Sequence, residues 1–146
     1  MNPRPDSCRS CPAFDTGRGF VPGQGPPGAT IALLGQGPGE VEAALDQPFV
    51  GPSGIMLDRW LAAASLPRAS VWVDNIVRCH LPENRPPKAA EVEHCRRVHW
   101  LPALQNHPAL KVVVPVGIHA ARALLGRKVT ESVVGSAQRI EMEETK

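Results

Sequence analysis

The chain has 146 residues, of which 42% are hydrophobic and 21% are charged, a composition typical of an ordinary globular domain. The net charge is only +2, which excludes a basic-tail protein and confines any nucleic-acid surface to a local patch. Sixteen prolines and thirteen glycines exclude a simple helical bundle and predict long, shaped loops.

Predicted strands and helices alternate along the chain. Short apolar or β-branched runs predict buried strands at residues 31–34, 71–77 and 111–116. Helical patterns follow them at residues 53–65, 88–104 and 118–125, whereas the acidic segment 40–47 is predicted to be a loop. This alternation predicts an α/β domain with a parallel sheet covered by helices on both faces.

Glycine-rich turns flank the predicted strand at 31–34. The strand breaks at residues 35–39, where three glycines allow a sharp turn and a close approach to a bound group. Gly51 and Gly54 form a second turn that opens the next helix. Because α/β proteins build sites at the carboxyl ends of their strands, a small or anionic ligand is expected there.

The four cysteines are candidate metal ligands. Cys8 and Cys11 form a C-x-x-C pair, and Cys79 and Cys95 lie far along the chain. No signal peptide or membrane-length apolar run is visible, so we expect a cytoplasmic protein in which such a pair binds metal or is redox-active. A thioredoxin-like site is disfavoured because the pair follows a proline-rich start. Zinc, an iron–sulfur cluster and structural free thiols remain open.

Four segments of the sequence carry a specific resemblance. In chain order they read GQGPGEVE from residue 35, QPFVGPSGIMLD from residue 47, VDNIVRCHLPENRPP from residue 73, and EVEHC ending at Cys95. They resemble the iron–sulfur uracil-DNA glycosylases, family four of that superfamily. Its members read GEAPGEXE, PFVGXAGXXLD and NVVKCRPPXNR, followed by a cysteine on the next helix. The match runs from Cys8 to about Gly126.

The resemblance implies a fold, a cofactor and an activity. The fold is a three-layer α/β/α domain with a central, mainly parallel sheet of about four strands, the last of them missing. The activity is hydrolysis of the N-glycosidic bond of a flipped-out uracil in DNA, as in base excision repair. The implied cofactor is a [4Fe–4S] cluster held by Cys8, Cys11, Cys79 and Cys95.

The same resemblance assigns roles around the base. Gln36 stands where the family has a glutamate that positions the attacking water, and an amide can hold water but cannot act as a general base. Gly37 belongs to a loop whose backbone N–H groups face the departing base. Phe49 would stack on uracil, and Asn75 would read its edge. Without the resemblance, Phe49 fits core packing equally well, and Asn75 fits a strand-end cap better.

Basic residues near the cysteines are the expected DNA contacts. They would position phosphates rather than read sequence, and a solvated helix face is the alternative for the later ones. The expected contacts are Arg78, Arg85 and Lys88, with Arg96 and Arg97 beside them.

The family pattern extends beyond what this sequence contains. Its members continue to a His-Pro-Ser motif whose histidine stabilises the uracil oxygen, and none of the five histidines here precedes Pro-Ser. We therefore expect a single domain, residues 1–146, that is incomplete at its C-terminus, monomeric, and weakened as a glycosylase. The alternatives are a non-catalytic iron–sulfur protein that binds DNA or regulates, and a zinc-stabilised α/β module.

Overall fold

The computed structural model describes residues 1–126 of the chain. Its centre is a sheet of three parallel strands, β1 (Ile31–Gly35), β2 (Trp72–Asn75) and β3 (Val112–Pro115). β1 lies between β2 and β3. β2 and β3 fall within the segments predicted from the sequence, β1 extends one residue beyond its predicted segment, and the parallel arrangement is confirmed. The sheet has one strand fewer than the expected four within the described residues.

Five α-helices surround this sheet in the described part of the chain, residues 1–126. They are α1 (Glu40–Leu45), α2 (Pro52–Ala63), α3 (Ala89–Cys95), α4 (Leu101–Gln105) and α5 (Ile118–Leu125). A π-helical turn, Arg96–Trp100, joins α3 to α4, so the single helix predicted over 88–104 contains a wider turn in its middle. None of the described helices is long and apolar enough to cross a membrane.

Helix α1 corrects the loop predicted for residues 40–47. It begins after Gly39 and carries Glu40 and Glu42 in its first turn. Carboxylates are favoured there because the N-terminal end of a helix bears a partial positive charge. Six residues are too few to show a clear helical periodicity. The sequence analysis therefore interpreted this acidic segment as a loop.

The helices cover both faces of the sheet. Leu33 points to one face, where it packs with Val71 and Val73 of the β2 region against Leu57 and Leu61 of α2. On the other face the core is built from residues of β1, the π-turn, α4 and α5, namely Ala32, Leu34, Trp100, Leu101, Leu104 and Ala120. Neighbouring residues of β1 face opposite sides because side chains alternate along a strand. The three-layer α/β/α architecture is therefore confirmed.

β3 is less buried than predicted. Val112 is 50% exposed and Val114 is 40% exposed, whereas Val113 packs against the core. Within residues 1–126, β3 pairs only with β1, so one edge of the strand has no partner in that range. The apolar run at 111–116 thus correctly predicted a strand, but the strand is less buried than such a run indicates.

Candidate functional site

The carboxyl ends of β1 and β2 place two polar loops side by side. Gly35 ends β1 and lies directly opposite Asn75, which ends β2. Asn75 is only 3% exposed, and its backbone N–H donates to Asp74 Oδ1 at 2.8 Å. A buried amide at the end of a parallel strand is in the position where α/β proteins bind small molecules.

Phe49 reaches the same point from the loop between α1 and α2. A Cβ atom built on Gly35 would overlap the Phe49 ring and lie 2.6 Å from Asn75 Oδ1. The ring and the amide therefore converge on the glycine that ends β1. Phe49 itself has a φ of 54°, a left-handed conformation that is uncommon for a bulky residue. We call this meeting point of an aromatic ring, an amide and a glycine the Gly35 slot, and the ring and the amide are the kinds of group that stack on and hydrogen-bond to a flat polar ring.

The glycine-rich loop at 35–39 is held against the segment that follows β2. The N–H of Ile76 donates to the Gly35 carbonyl at 2.8 Å, and that of Val77 donates to the Gln36 carbonyl at 3.3 Å. A Cβ on Gly37 would lie 2.9 Å from Val77 Cγ2, so a larger residue would push this segment away. Gln36 and Gly37 are both partly exposed beside the slot.

Glu42 is a site residue that the sequence analysis missed. It is buried, and its Oε1 accepts the N–H of Gly51 at 2.8 Å. A Cβ on Gly39 would lie 2.7 Å from Glu42 Oε2, so the carboxylate sits between the two glycine turns. The sequence analysis placed Glu42 in an acidic loop, and the signal for its role was its place within the GEVE segment.

All four cysteines line one cavity. Cys8 and Cys11 come from the N-terminal segment, Cys79 from the loop after β2, and Cys95 from the end of α3. All four thiols are free. Burial raises the pKa of Cys8, raises that of Cys79 to about 11, and raises that of Cys95 further. The nearby Cys11 sulfur adds to the upward pKa shift of Cys8 and Cys79 because two thiolates repel each other.

The cavity has the donor set that an iron–sulfur cluster uses. Arg4 lines it, and Arg4 Nε is buried and has no hydrogen-bond partner among residues 1–126, so this N–H can donate to an acceptor bound in the cavity. A Cβ on Gly17 would lie 2.8 Å from Cys79 Sγ. The sulfur atom therefore has room only because Gly17 has no side chain. Within residues 1–126, no three His, Cys, Asp or Glu side chains are grouped to hold a single metal ion. A cluster binds each thiolate at a separate iron, so these residues fit it.

Two histidines lie at the cysteine cavity and were not predicted. His99 Nε2 is 3.1 Å from Cys8 Sγ, and His94 Nε2 is 2.9 Å from the carbonyl of Ser7. Burial lowers the pKa of His99 to about 4, with the nearby Arg78 charge adding to the effect. His99 is therefore neutral at pH 7. The π-turn that follows Cys95 is what brings His99 to the cavity, and no sequence pattern indicated that turn.

Arg78 lies inside the protein, and its contact with DNA stays a prediction. It is buried, and its guanidinium donates to both carboxylate oxygens of Asp74, from Nε at 3.1 Å and from Nη2 at 2.6 Å. The sequence analysis expected Arg78 to contact DNA because it lies beside a cysteine. The Asp74 carboxylate of β2 draws it inward, since a buried charge is stable only when it is paired.

The other expected basic residues lie at the surface. Arg85 is partly exposed and makes two hydrogen bonds to the buried Glu91, which lower the pKa of that carboxyl group. Arg96 lies 3.5 Å from Glu93. Lys88, at the start of α3, and Arg97, in the π-turn, are exposed.

Comparison with known proteins identifies the family. The model described as the uracil DNA glycosylase superfamily matches residues 22–144. The chain belongs to this superfamily. It is 40% identical over 89 residues to the type-4 uracil-DNA glycosylase of Archaeoglobus fulgidus, 34% over 122 to that of Pyrobaculum aerophilum, and 32% over 131 to that of Thermotoga maritima. The resemblance found in the sequence is thereby confirmed.

The alignments cover a larger share of this chain than of its relatives. The alignments cover 61%, 82% and 89% of this chain, but 45%, 60% and 67% of the respective relatives. The chain thus spans about half to two thirds of the length of these type-4 glycosylases. Within this member of the uracil DNA glycosylase superfamily, the Gly35 slot and the cysteine cavity lie at opposite ends of the short segment from Asn75 to Cys79.

We expect a methyl group at Gly35 to disrupt the slot. Gly35→Ala would force apart the Phe49 ring and the Asn75 amide, and overpacking of this kind destabilises the fold by about 1–3 kcal/mol. Gly28→Ala is the matched control, since nothing lies within 4 Å of a Cβ on Gly28. Urea denaturation followed by circular dichroism measures both. Equal stabilities for the two variants would contradict the close contact at Gly35.

Proposed function

We propose that this protein removes uracil from DNA by hydrolysing its N-glycosidic bond, as in base excision repair. The observation that supports the proposal best is the convergence of Phe49 and Asn75 on Gly35. A base inside a duplex cannot reach such a slot, so the nucleotide must be flipped out of the stack. The type-4 uracil-DNA glycosylases that the chain resembles support the choice of substrate.

Asn75 would select uracil by its two amide groups. Its Nδ2 donates to uracil O4 and its Oδ1 accepts from N3–H, whereas cytosine presents the opposite pattern of donor and acceptor. A buried polar group left unpaired against the wrong base carries a large penalty, which is the basis of discrimination. Phe49 would stack on the flat face of the same base, a contact that typically contributes about 1–3 kcal/mol.

The glycine-rich loop would stabilise the departing base. Negative charge develops on uracil as the bond breaks, and the backbone N–H groups of Gln36, Gly37 and Gly39 would donate to it from the loop beside the slot. Gln36 would hold the attacking water. Because an amide cannot accept the proton of that water as a carboxylate does, we propose that the reaction is slower than in a member with glutamate at this position.

The four cysteines would hold a [4Fe–4S] cluster. When bound, the cluster supplies a covalent tie between the N-terminal segment, the loop after β2 and α3, through Cys8, Cys79 and Cys95. Arg4 Nε, which lacks a partner, would face its negative charge. The residues between Asn75 and Cys79 would then be anchored at one end by the cluster and at the other by β2.

The DNA strand would cross the surface near α3. Lys88 and Arg97 are exposed there, and Arg85 lies close by at the start of the same region. We propose that they contact phosphates and fix the position of the strand without reading its sequence. The proposal further takes the protein to be a monomer that acts in the cytoplasm.

A second candidate function follows from Gln36. A member that lacks the carboxylate at this position could keep the slot and the DNA surface as a non-catalytic iron–sulfur protein that binds DNA or regulates its repair. The two functions differ in one measurable respect. The non-catalytic protein binds DNA without preferring uracil to thymine and releases no base.

Excision of uracil tests the main proposal directly. Wild-type protein, incubated in excess with a uracil-containing oligonucleotide and then with alkali, should cleave the strand at the uracil. Asn75→Asp should lower the single-turnover rate by about 100-fold, because the donor to O4 becomes an acceptor. The Gly28→Ala protein serves as control, since Gly28 lies in open space. An uncut wild-type reaction at high enzyme concentration would reject glycosylase activity.

The cluster can be tested by metal content. Anaerobically purified wild-type protein should be brown, absorb broadly in the blue region and contain about four iron atoms per chain. Cys95→Ala should lose colour and iron, because the cavity loses one of its four thiols. Zinc in place of iron in the wild-type protein would reject the cluster and support the zinc-stabilised module.

Restoring a carboxylate at Gln36 should increase the rate. Gln36→Glu supplies a general base, a contribution of about 100-fold in enzymes, to the single-turnover rate of uracil release. The rate of this variant should rise with pH through the ordinary pKa of a glutamate, about 4.3, because only the ionised form accepts a proton. The wild-type rate should stay flat over the same pH range. A variant no faster than wild type would show that the water is not activated at this position.

A further inference from the structure

The loop that carries Phe49 is fixed from outside the slot. Phe49 adopts the left-handed conformation, which a bulky residue keeps only when its surroundings enforce it. A Cβ on Gly54 would overlap the Phe49 carbonyl, so the first turn of α2 packs directly on this backbone. A second contact to the same carbonyl comes from Arg68.

Arg68 connects three parts of the site region. Its Nη2 donates to the carbonyl oxygens of Pro48 at 2.9 Å and Phe49 at 3.1 Å, and its Nη1 donates to Asp58 Oδ1 at 2.8 Å. Arg68 lies in the short 3-10 turn Arg68–Ser70 that leads into β2. The guanidinium thus links the Phe49 turn and helix α2 to the start of the strand that ends at Asn75.

We infer that Arg68, oriented by Asp58, is a positioning residue that holds the Phe49 ring in the Gly35 slot before a base arrives. The inference rests on the proposed function, because it concerns the ring that would stack on uracil. Arg68 does not touch the slot itself. It acts through the carbonyl groups on either side of the Phe49 backbone, whose orientation sets the direction of the ring.

The geometry requires an arginine. Its planar fork directs separate N–H groups at a carboxylate and at two carbonyl oxygens simultaneously. A lysine carries one ammonium on a flexible stem and cannot cover these positions together. A competing role is a phosphate contact, since the Arg68 side chain is 31% exposed. The two roles predict different kinetics, because a phosphate contact acts on DNA binding and a positioned ring acts on the step after binding.

Kinetics of full-length variants separate these roles. Arg68→Ala should lower the single-turnover rate of uracil release by about 100-fold, the effect of misplacing a positioning group by about 1 Å. Its dissociation constant for uracil-containing DNA, and the salt dependence of that constant, should stay within threefold of wild type. Arg68→Lys should recover only part of the rate. Arg59→Ala, which removes the same charge from an exposed position of α2, should behave as wild type.

A spectroscopic measurement does not depend on activity. The chain has three phenylalanines, so protein labelled with 4-fluorophenylalanine gives three fluorine resonances, and Phe49→Leu identifies the one from Phe49. Arg68→Ala should broaden or shift that resonance alone. Asp58→Asn should do the same to a smaller extent, which keeps the test valid if Arg68→Ala fails to fold. If the wild-type protein releases no uracil, the proposed function fails while this measurement still decides the role of Arg68.

Two results would overturn the inference. In the first, the Phe49 resonance and the rate are both unchanged in Arg68→Ala, so the turn holds its conformation without the guanidinium. In the second, the rate at saturating enzyme is unchanged but DNA binding weakens and its salt dependence falls by about one charge, which identifies a phosphate contact.

Discussion

The parallel pairing of β1 with β2 is the constraint on which the site depends. The register places Gly35 beside Asn75, and both residues lie where their strands end. A slip of one residue would turn Asn75 to the opposite face of the sheet, since side chains alternate along a strand. The glycine at this position then lets the Phe49 ring approach the amide. One backbone register thus brings together groups from three separate loops.

The segment after β2 connects the Gly35 slot to the cysteine cavity. Asn75 lies at its start in the slot, and Cys79 lies near its end in the cysteine cavity. The indole N–H of Trp100 donates to the Ile76 carbonyl at 3.0 Å, and His80 Nδ1 lies 3.1 Å from the Pro38 carbonyl. These bonds tie the segment to the π-turn and to the glycine-rich loop. The segment is therefore held by hydrogen bonds on the side of the slot and on the side of the cysteines.

The sequence predicted the fold better than it predicted the electrostatics of the site. Strand positions follow from local apolar runs, and the break of β1 at Gly35 follows from its glycines, whereas β2 ends at Asn75, two residues before the end of its predicted segment. Glu42 and Arg68 were missed because their partners are backbone groups at 9 to 20 residues' distance along the chain. Hydrogen bonds from a side chain to a distant backbone leave no periodic signal in the sequence.

Arg78 illustrates why a charged residue near a site cannot be assigned to the surface from sequence alone. Asp74 and Arg78 are four residues apart, and each directly precedes a proposed site residue, Asn75 or Cys79. Removing one partner of a buried ion pair costs about 3–5 kcal/mol, far more than at a solvated surface, where a pair contributes about 0–1 kcal/mol. The pair joins β2 to the segment that leads to Cys79. The charge of Arg78 thus has its partner inside the protein, at the lining of the cysteine cavity.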